Sequence, residues 1–120
     1  MKVLIDNGHG IDTPGKRSPD GEFREYRYAR EIASSLVGRL REEGYEANLL
    51  VPEDYDIPLT VRAKRVNAVC NECGNDNVLI VSIHCNASGK DNSWHNARGW
   101  SAFTTKGLTE SDTLADCLYT

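Results

Sequence analysis

Two short apolar runs, each ending on a histidine, constrain the fold of this 120-residue chain more than any other feature. Val3-Leu4-Ile5-Asp6-Asn7-Gly8-His9-Gly10 has strand character and holds His9 between two glycines. Glycine admits positive φ and close backbone approach, so the imidazole is presented at a strand end rather than packed along it. Val78-Leu79-Ile80-Val81-Ser82-Ile83 repeats the arrangement: it is β-branched and apolar on both faces, as a buried parallel strand should be, and it ends at His84. Either histidine by itself is well explained as a hydrogen-bonded core or loop residue. The repetition of strand and terminal histidine is what points to a shared site.

Two helical patterns and another strand separate these runs. Residues 10–24 form a long polar segment with no helical or strand period, and loops of that length are mostly functional or disordered. Within it, residues 10–16 imitate a phosphate-binding loop. Arg17 stands where Ser or Thr is needed and Pro19 follows instead of a helix, so the match is accidental. Over residues 25–43, Ala29, Ile32, Ala33, Leu36, Val37 and Leu40 recur at three- and four-residue steps, and Gly44 suits a C-terminal cap. Glu25 lies one turn before Ala29 on that stripe, where a buried carboxylate needs a partner. A first-turn glutamate favoured by the helix dipole describes Glu25 and Glu22 equally well.

Residues 47–51 read as a second strand and residues 52–58 as an acidic, proline-bounded loop. A second helix is expected from Thr60, as N-cap, to Cys73, with Ala63, Val66, Val69, Cys70 and Cys73 on its apolar stripe. Cys70 and Cys73 make a solitary C-x-x-C at a helix end. That suits core thiols better than a zinc or redox pair. Cys85 and Cys117 are isolated, and no disulfide is expected.

The order strand, helix, strand, helix, strand gives an α/β fold: a mostly parallel twisted sheet flanked by helices in three layers, α/β/α. If the strands lie in the order second, first, third, the chain reverses direction between the first and third. Ligands bind at that switch point, beyond the strand C-termini. His9 and His84 would then end neighbouring strands about 4.8 Å apart, and Glu25 would open the helix that follows the first.

Beyond His84, residues 85–98 are a polar loop containing Trp94 and His95, and residues 99–104 read as a fourth strand. Trp94 and Trp100 suit either a sugar or peptide groove or ordinary packing. A last helix is expected over residues 109–120, with Leu114 and Leu118 one turn apart. No apolar segment approaches the roughly 18 residues of a membrane span. The net charge of −4, without a basic stripe, argues against nucleic acid as a partner. Lys2 leads straight into the first strand with no apolar leader, so the expectation is one soluble domain without a signal peptide, cytoplasmic as encoded. Nothing in the sequence sets an oligomeric state.

Two imidazoles and a carboxylate make a good set of ligands for Zn²⁺ with a fourth position for water, and such sites catalyse hydrolysis of an amide or ester. Asp6 and Asn7 are candidates to orient an imidazole or simply to cap the turn. Taken together, Ile5-Asp6-Asn7-Gly8-His9-Gly10, Gly21 and Glu25, then Leu59, Arg62 and Asn67, then Ser82-Ile83-His84-Cys85-Asn86-Ala87, resemble the zinc-dependent N-acetylmuramoyl-L-alanine amidases of the amidase-3 type.

The resemblance implies a six-stranded α/β domain of zinc-exopeptidase-like design. It also implies zinc on His9, Glu25 and His84, Asn86 and Arg62 as further site residues, and peptidoglycan muropeptides as substrate. The reaction implied is cleavage of the amide between N-acetylmuramic acid and L-alanine, with action at the cell wall after release or export. Cys85 replaces a usual alanine, and Val51-Pro52 a usual Thr-Arg pair. The family's domain carries a second, non-ligand glutamate as acid/base further along. Residues 1–120 are accordingly expected to be the N-terminal portion of one catalytic domain, poorly active as they stand. The competing readings are a domain that binds zinc and wall fragments without turnover, and another zinc hydrolase of carboxypeptidase-like design.

Overall fold

The strand β1 (Lys2–Asn7) runs between β2 (Glu46–Leu49) and β3 (Val78–Ile83) in a parallel sheet, as expected, and the order β2-β1-β3 meets the condition under which β1 and β3 flank a switch point. The coordinates are a computed structural model that describes residues 1–8, 25–84 and 101–119, excluding the side chains of Glu25 and Tyr26. Alternation along β1 sends Val3 and Ile5 to one face, against Ala33 and Val37 of α1 (Glu25–Glu42). Leu4 goes to the other face, among Leu50, Val51, Ile57 and the half-buried Val66 and Val69 of α2 (Leu59–Cys73). Helices cover both faces of β1, which is why Val3-Leu4-Ile5 is apolar without alternation.

Ala29, Ala33 and Val37 form the buried line of α1, and their four-residue spacing keeps them on one ridge. Ile32, expected on that stripe, is 37% exposed, because it lies about 100° around the helix from Ala33. The helix closes as its glycine suggested. Gly44 takes φ +94°, its N–H donates to Arg41 O at 3.0 Å, and Tyr45 N–H donates to Leu40 O at 3.0 Å.

At α2 the expected N-cap is corrected. Pro58 caps the helix with φ −55° and ψ 149°, its carbonyl accepting from Val61 and Arg62 N–H, and Thr60 lies inside the first turn. Proline's fixed φ orients the chain for entry into a helix without a side-chain cap. Ala63 is exposed rather than part of the apolar stripe, and the buried position on this helix belongs to Arg62. Among the described residues, Cys70, Cys73 and Cys117 form no disulfide.

β3 pairs with β1 and is an edge strand among the described residues, so the burial on both faces expected for it is not observed there: Ile80 is 43% exposed and Ser82 is exposed. The fourth strand expected over residues 99–104 is not formed at residues 101–104, which are exposed and not extended into a strand. α3 (Glu110–Tyr119) forms as expected, its start closed by Thr109 N–H donating to Asp112 Oδ2 at 2.7 Å. Among the described residues no helix is long and apolar enough to cross a membrane.

The acidic loop before α2 is tied down by Arg65, which donates to Leu50 O at 3.0 Å and to both carboxylate oxygens of Glu53. That side-chain hydrogen bonding lowers the Glu53 pKa from 4.5 to about 2. A carboxylate lowered on folding adds stability above about pH 4.5 and loses it as pH falls towards about 2. Both side chains are partly solvated, so screening limits the contribution to about 1 kcal/mol. In urea titrations Glu53→Gln should be about 1 kcal/mol less stable than the parent at pH 7. The gap should narrow steadily below pH 4.5, and a gap independent of pH would contradict this assignment.

Candidate active site

Strand register builds the site. Asp6 lies opposite Ser82 and Asn7 opposite Ile83, while Gly8 N–H continues the ladder by donating to Ile83 O at 3.3 Å. Because side chains alternate, Asp6 shares the face of Leu4, which is the face covered by α2. Ser82 lies beside Asp6 on that face.

Arg62 comes down from α2 onto this corner, with its side chain only 7% exposed. Its Nε donates to Ile57 O at 2.7 Å, and one terminal nitrogen donates to Asn7 O at 3.2 Å and pairs with Asp6 Oδ1. The other terminal nitrogen donates to Asp56 Oδ1 at 3.2 Å. A planar guanidinium satisfies two backbone carbonyls and two carboxylates at once, which no lysine geometry reproduces. The second oxygen of Asp6 accepts from Ser82 Oγ at 2.7 Å, and Ser82 Oγ lies 2.9 Å from His84 Nε2. A continuous polar chain therefore runs from Arg62 through Asp6 and Ser82 to His84.

Gly8 makes room for the end of that chain. A Cβ there would stand 2.6 Å from His84 Cε1 and 2.7 Å from Nδ1, so the imidazole rests against the bare backbone of β1. The preceding residue, Asn7, is fully buried and donates from Nδ2 to Val51 O at 2.9 Å, a carbonyl that also accepts from Arg30 at 3.0 Å. Asn7 Oδ1 is buried and has no hydrogen-bond partner among the described residues. A buried acceptor of this kind is an exception that a nearby donor, water or ion would satisfy. Beside His84 a cleft of about 460 Å³ opens, with Asp6, Arg62 and His84 at its polar end and Ile57, Pro58 and Leu59 forming its apolar wall.

The structure thus brings Asp6, Asn7, Arg62 and His84 together at the C-terminal ends of β1 and β3, the switch point of the sheet. His9 and Asn86 lie outside the described residues, as do Glu22, Cys85, Trp94, His95 and Trp100. Glu25 starts the helix α1, and its side chain lies outside the described part. Three features were not anticipated: Ser82 as the link between Asp6 and His84, Asp56 as the second carboxylate on Arg62, and Val51 O as an anchor for both Asn7 and Arg30. The signal for the first is in the sequence, where Ser82 is the polar interruption of an apolar strand, two residues before the histidine.

Among the described residues no group of three His, Cys, Asp or Glu side chains converges on a point. The described donor nevertheless has the chemistry of a metal ligand. A histidine whose one ring nitrogen is hydrogen-bonded into a carboxylate-anchored network is the usual state of a ligating imidazole. The orphaned Asn7 Oδ1 at the same strand end is consistent with a cation or a second ring N–H close by.

Comparison with known proteins agrees with the resemblance seen in the sequence. A family model described as N-acetylmuramoyl-L-alanine amidase (Amidase_3) matches residues 3–120. Among curated proteins the chain is similar to the N-acetylmuramoyl-L-alanine amidase AmiC of Neisseria meningitidis serogroup B, at 32% identity over 111 residues, 91% of this chain. The aligned part is 24% of that relative's length, so the chain spans about a quarter of it.

Proposed function

The chain belongs to the Amidase_3 family of N-acetylmuramoyl-L-alanine amidases, and from that premise we propose that it takes part in zinc-dependent hydrolysis of the amide between N-acetylmuramic acid and L-alanine in peptidoglycan. The observation that carries this reading is the set of groups at the sheet's switch point, with His84 held by Ser82 and Asp6 at the mouth of a cleft. His9, Glu25 and His84 are the residues proposed to hold zinc. When bound there, zinc polarises the scissile carbonyl and supports amide hydrolysis near neutral pH.

The described residues orient the site and shape its cleft. Arg62 is fully engaged with Asp6, Asp56 and two backbone carbonyls, so it fixes Asp6 rather than donating a proton to substrate. Asp6 spends both oxygens, one on Arg62 and one on Ser82, and orients His84 through the serine. The apolar wall of Ile57, Pro58 and Leu59 offers the substrate a surface without competing hydrogen bonds. Leu59, 82% exposed, is available to meet it.

The reading is tested by digesting purified peptidoglycan with the protein, with and without a zinc chelator, and identifying the products by mass. The expected products, in the low yield that the poor activity expected of residues 1–120 implies, are intact stem peptides with a free L-alanine amino group and glycan strands with free lactyl carboxylates, both abolished by the chelator. Cleavage inside the stem peptide, or equal product with zinc removed, would contradict it.

A further inference from the structure

A serine hydroxyl has one proton to give. Asp6 is a carboxylate paired with Arg62 through Oδ1, so at Oδ2 it can only accept, and Ser82 Oγ donates to it at 2.7 Å. The same Oγ lies 2.9 Å from His84 Nε2 and has no second proton for that contact. If Nε2 were bare, two lone pairs would face each other at hydrogen-bond distance. Reversing the serine would leave its lone pairs against the Asp6 carboxylate, or require a protonated carboxyl beside a guanidinium. Both alternatives are unfavourable, and the arrangement that satisfies Asp6, Ser82 and the Nε2 contact together has Nε2–H donating to Ser82 Oγ.

We infer that Ser82, held by Asp6 and Arg62, is a positioning residue that fixes the neutral His84 ring as its Nε2-protonated tautomer and so places the lone pair on Nδ1. Nδ1 is one of the two ring atoms that rest against Gly8 at the end of β1, the strand that leads into His9. The strand register makes this possible: Asp6 and Ser82 are paired residues on adjacent strands, and His84 follows Ser82 by two. A tautomer set before any metal arrives needs no reorganisation on binding. The consequence for metal affinity rests on the zinc reading proposed above, whereas the tautomer itself does not.

The two are separated by measuring them separately. Metal-free, ¹⁵N-labelled protein is studied at about pH 8.5, two units above the ordinary imidazole value of about 6.5. Long-range proton–nitrogen correlations then report each ring, with His9→Gln and His95→Gln variants used to assign His84. The expected result is a pyrrole-type Nε2 and a pyridine-type Nδ1 in the parent chain. Ser82→Ala should move both nitrogens towards the averaged values of a ring exchanging between tautomers, and Ser82→Thr, which keeps the hydroxyl, should restore the parent pattern. A protonated Nδ1 in the parent, or a Ser82→Ala spectrum unchanged at His84, overturns the inference.

Zinc affinity, read by competition with a chromophoric chelator, should fall about 10–100-fold in Ser82→Ala and recover in Ser82→Thr. If the tautomer behaves as expected while the parent chain takes up no zinc, the role of Ser82 stands and the proposed zinc chemistry falls.

Discussion

Replacing Arg62 by alanine should cost this protein about 3–5 kcal/mol of folding stability, the largest loss expected from any single surface-to-core polar contact described above. The guanidinium is 7% exposed and serves Ile57 O, Asn7 O, Asp6 and Asp56 simultaneously. Its removal strands the Asp6 carboxylate, only 15% exposed, without its counter-charge and leaves two buried carbonyls without a donor. Domains of this size are stable by about 5–15 kcal/mol, so the variant should unfold at markedly lower urea concentration. Arg62→Lys should recover only part of the loss, because an ammonium cannot address four acceptors lying in different directions. A loss below about 1 kcal/mol would show that the corner is held by packing and not by this ion pair.

Gly8→Ala should have the opposite profile, a modest loss of stability with a large loss of metal binding. The new Cβ would meet His84 Cε1 at 2.6 Å, Nδ1 at 2.7 Å and Ile83 O at 3.2 Å. The ring lies at the end of an exposed side chain and can swing away, which keeps the folding cost to about 1–3 kcal/mol. Swinging away breaks its contact with Ser82 Oγ, and zinc affinity should drop about a hundredfold, the upper end for loss of an orienting partner. Calorimetric titration with zinc and urea unfolding on the same preparation check the two halves together. Parental affinity in a folded Gly8→Ala protein would place the metal away from His84.

Both predictions concern residues that the sequence displays in different degrees. The parallel sheet was legible because β1 and β3 are continuous apolar runs and the intervening helices carry a 3.6-residue period, whereas the order β2-β1-β3 entered only as a condition, since crossover handedness alone does not fix which strand lies in the middle. His84 and Asp6 were legible for the same reason, being the polar ends of those runs. Arg62 was visible only as part of a family-like pattern. Helical periodicity assigned the buried face of α2 to Ala63, because an arginine on a core face has no apolar signature and its burial depends on Asp6, 56 residues away. Ser82 was passed over as a strand residue, since its meaning depends on inter-strand register, which periodicity within one strand does not contain. Ile32 and Thr60 erred at the level of single-residue phase, where one position rotates a helical side chain by about 100°.

His9, Glu25 and His84 are proposed to hold one zinc ion. Equilibrium dialysis of the purified chain against buffered zinc, followed by metal analysis, measures this directly. One zinc per chain is expected in the parent and in Glu22→Gln, with substantial loss in His9→Ala, Glu25→Gln and His84→Ala. Full zinc occupancy retained in His84→Ala or His9→Ala, or none taken up by the folded parent, would contradict the account.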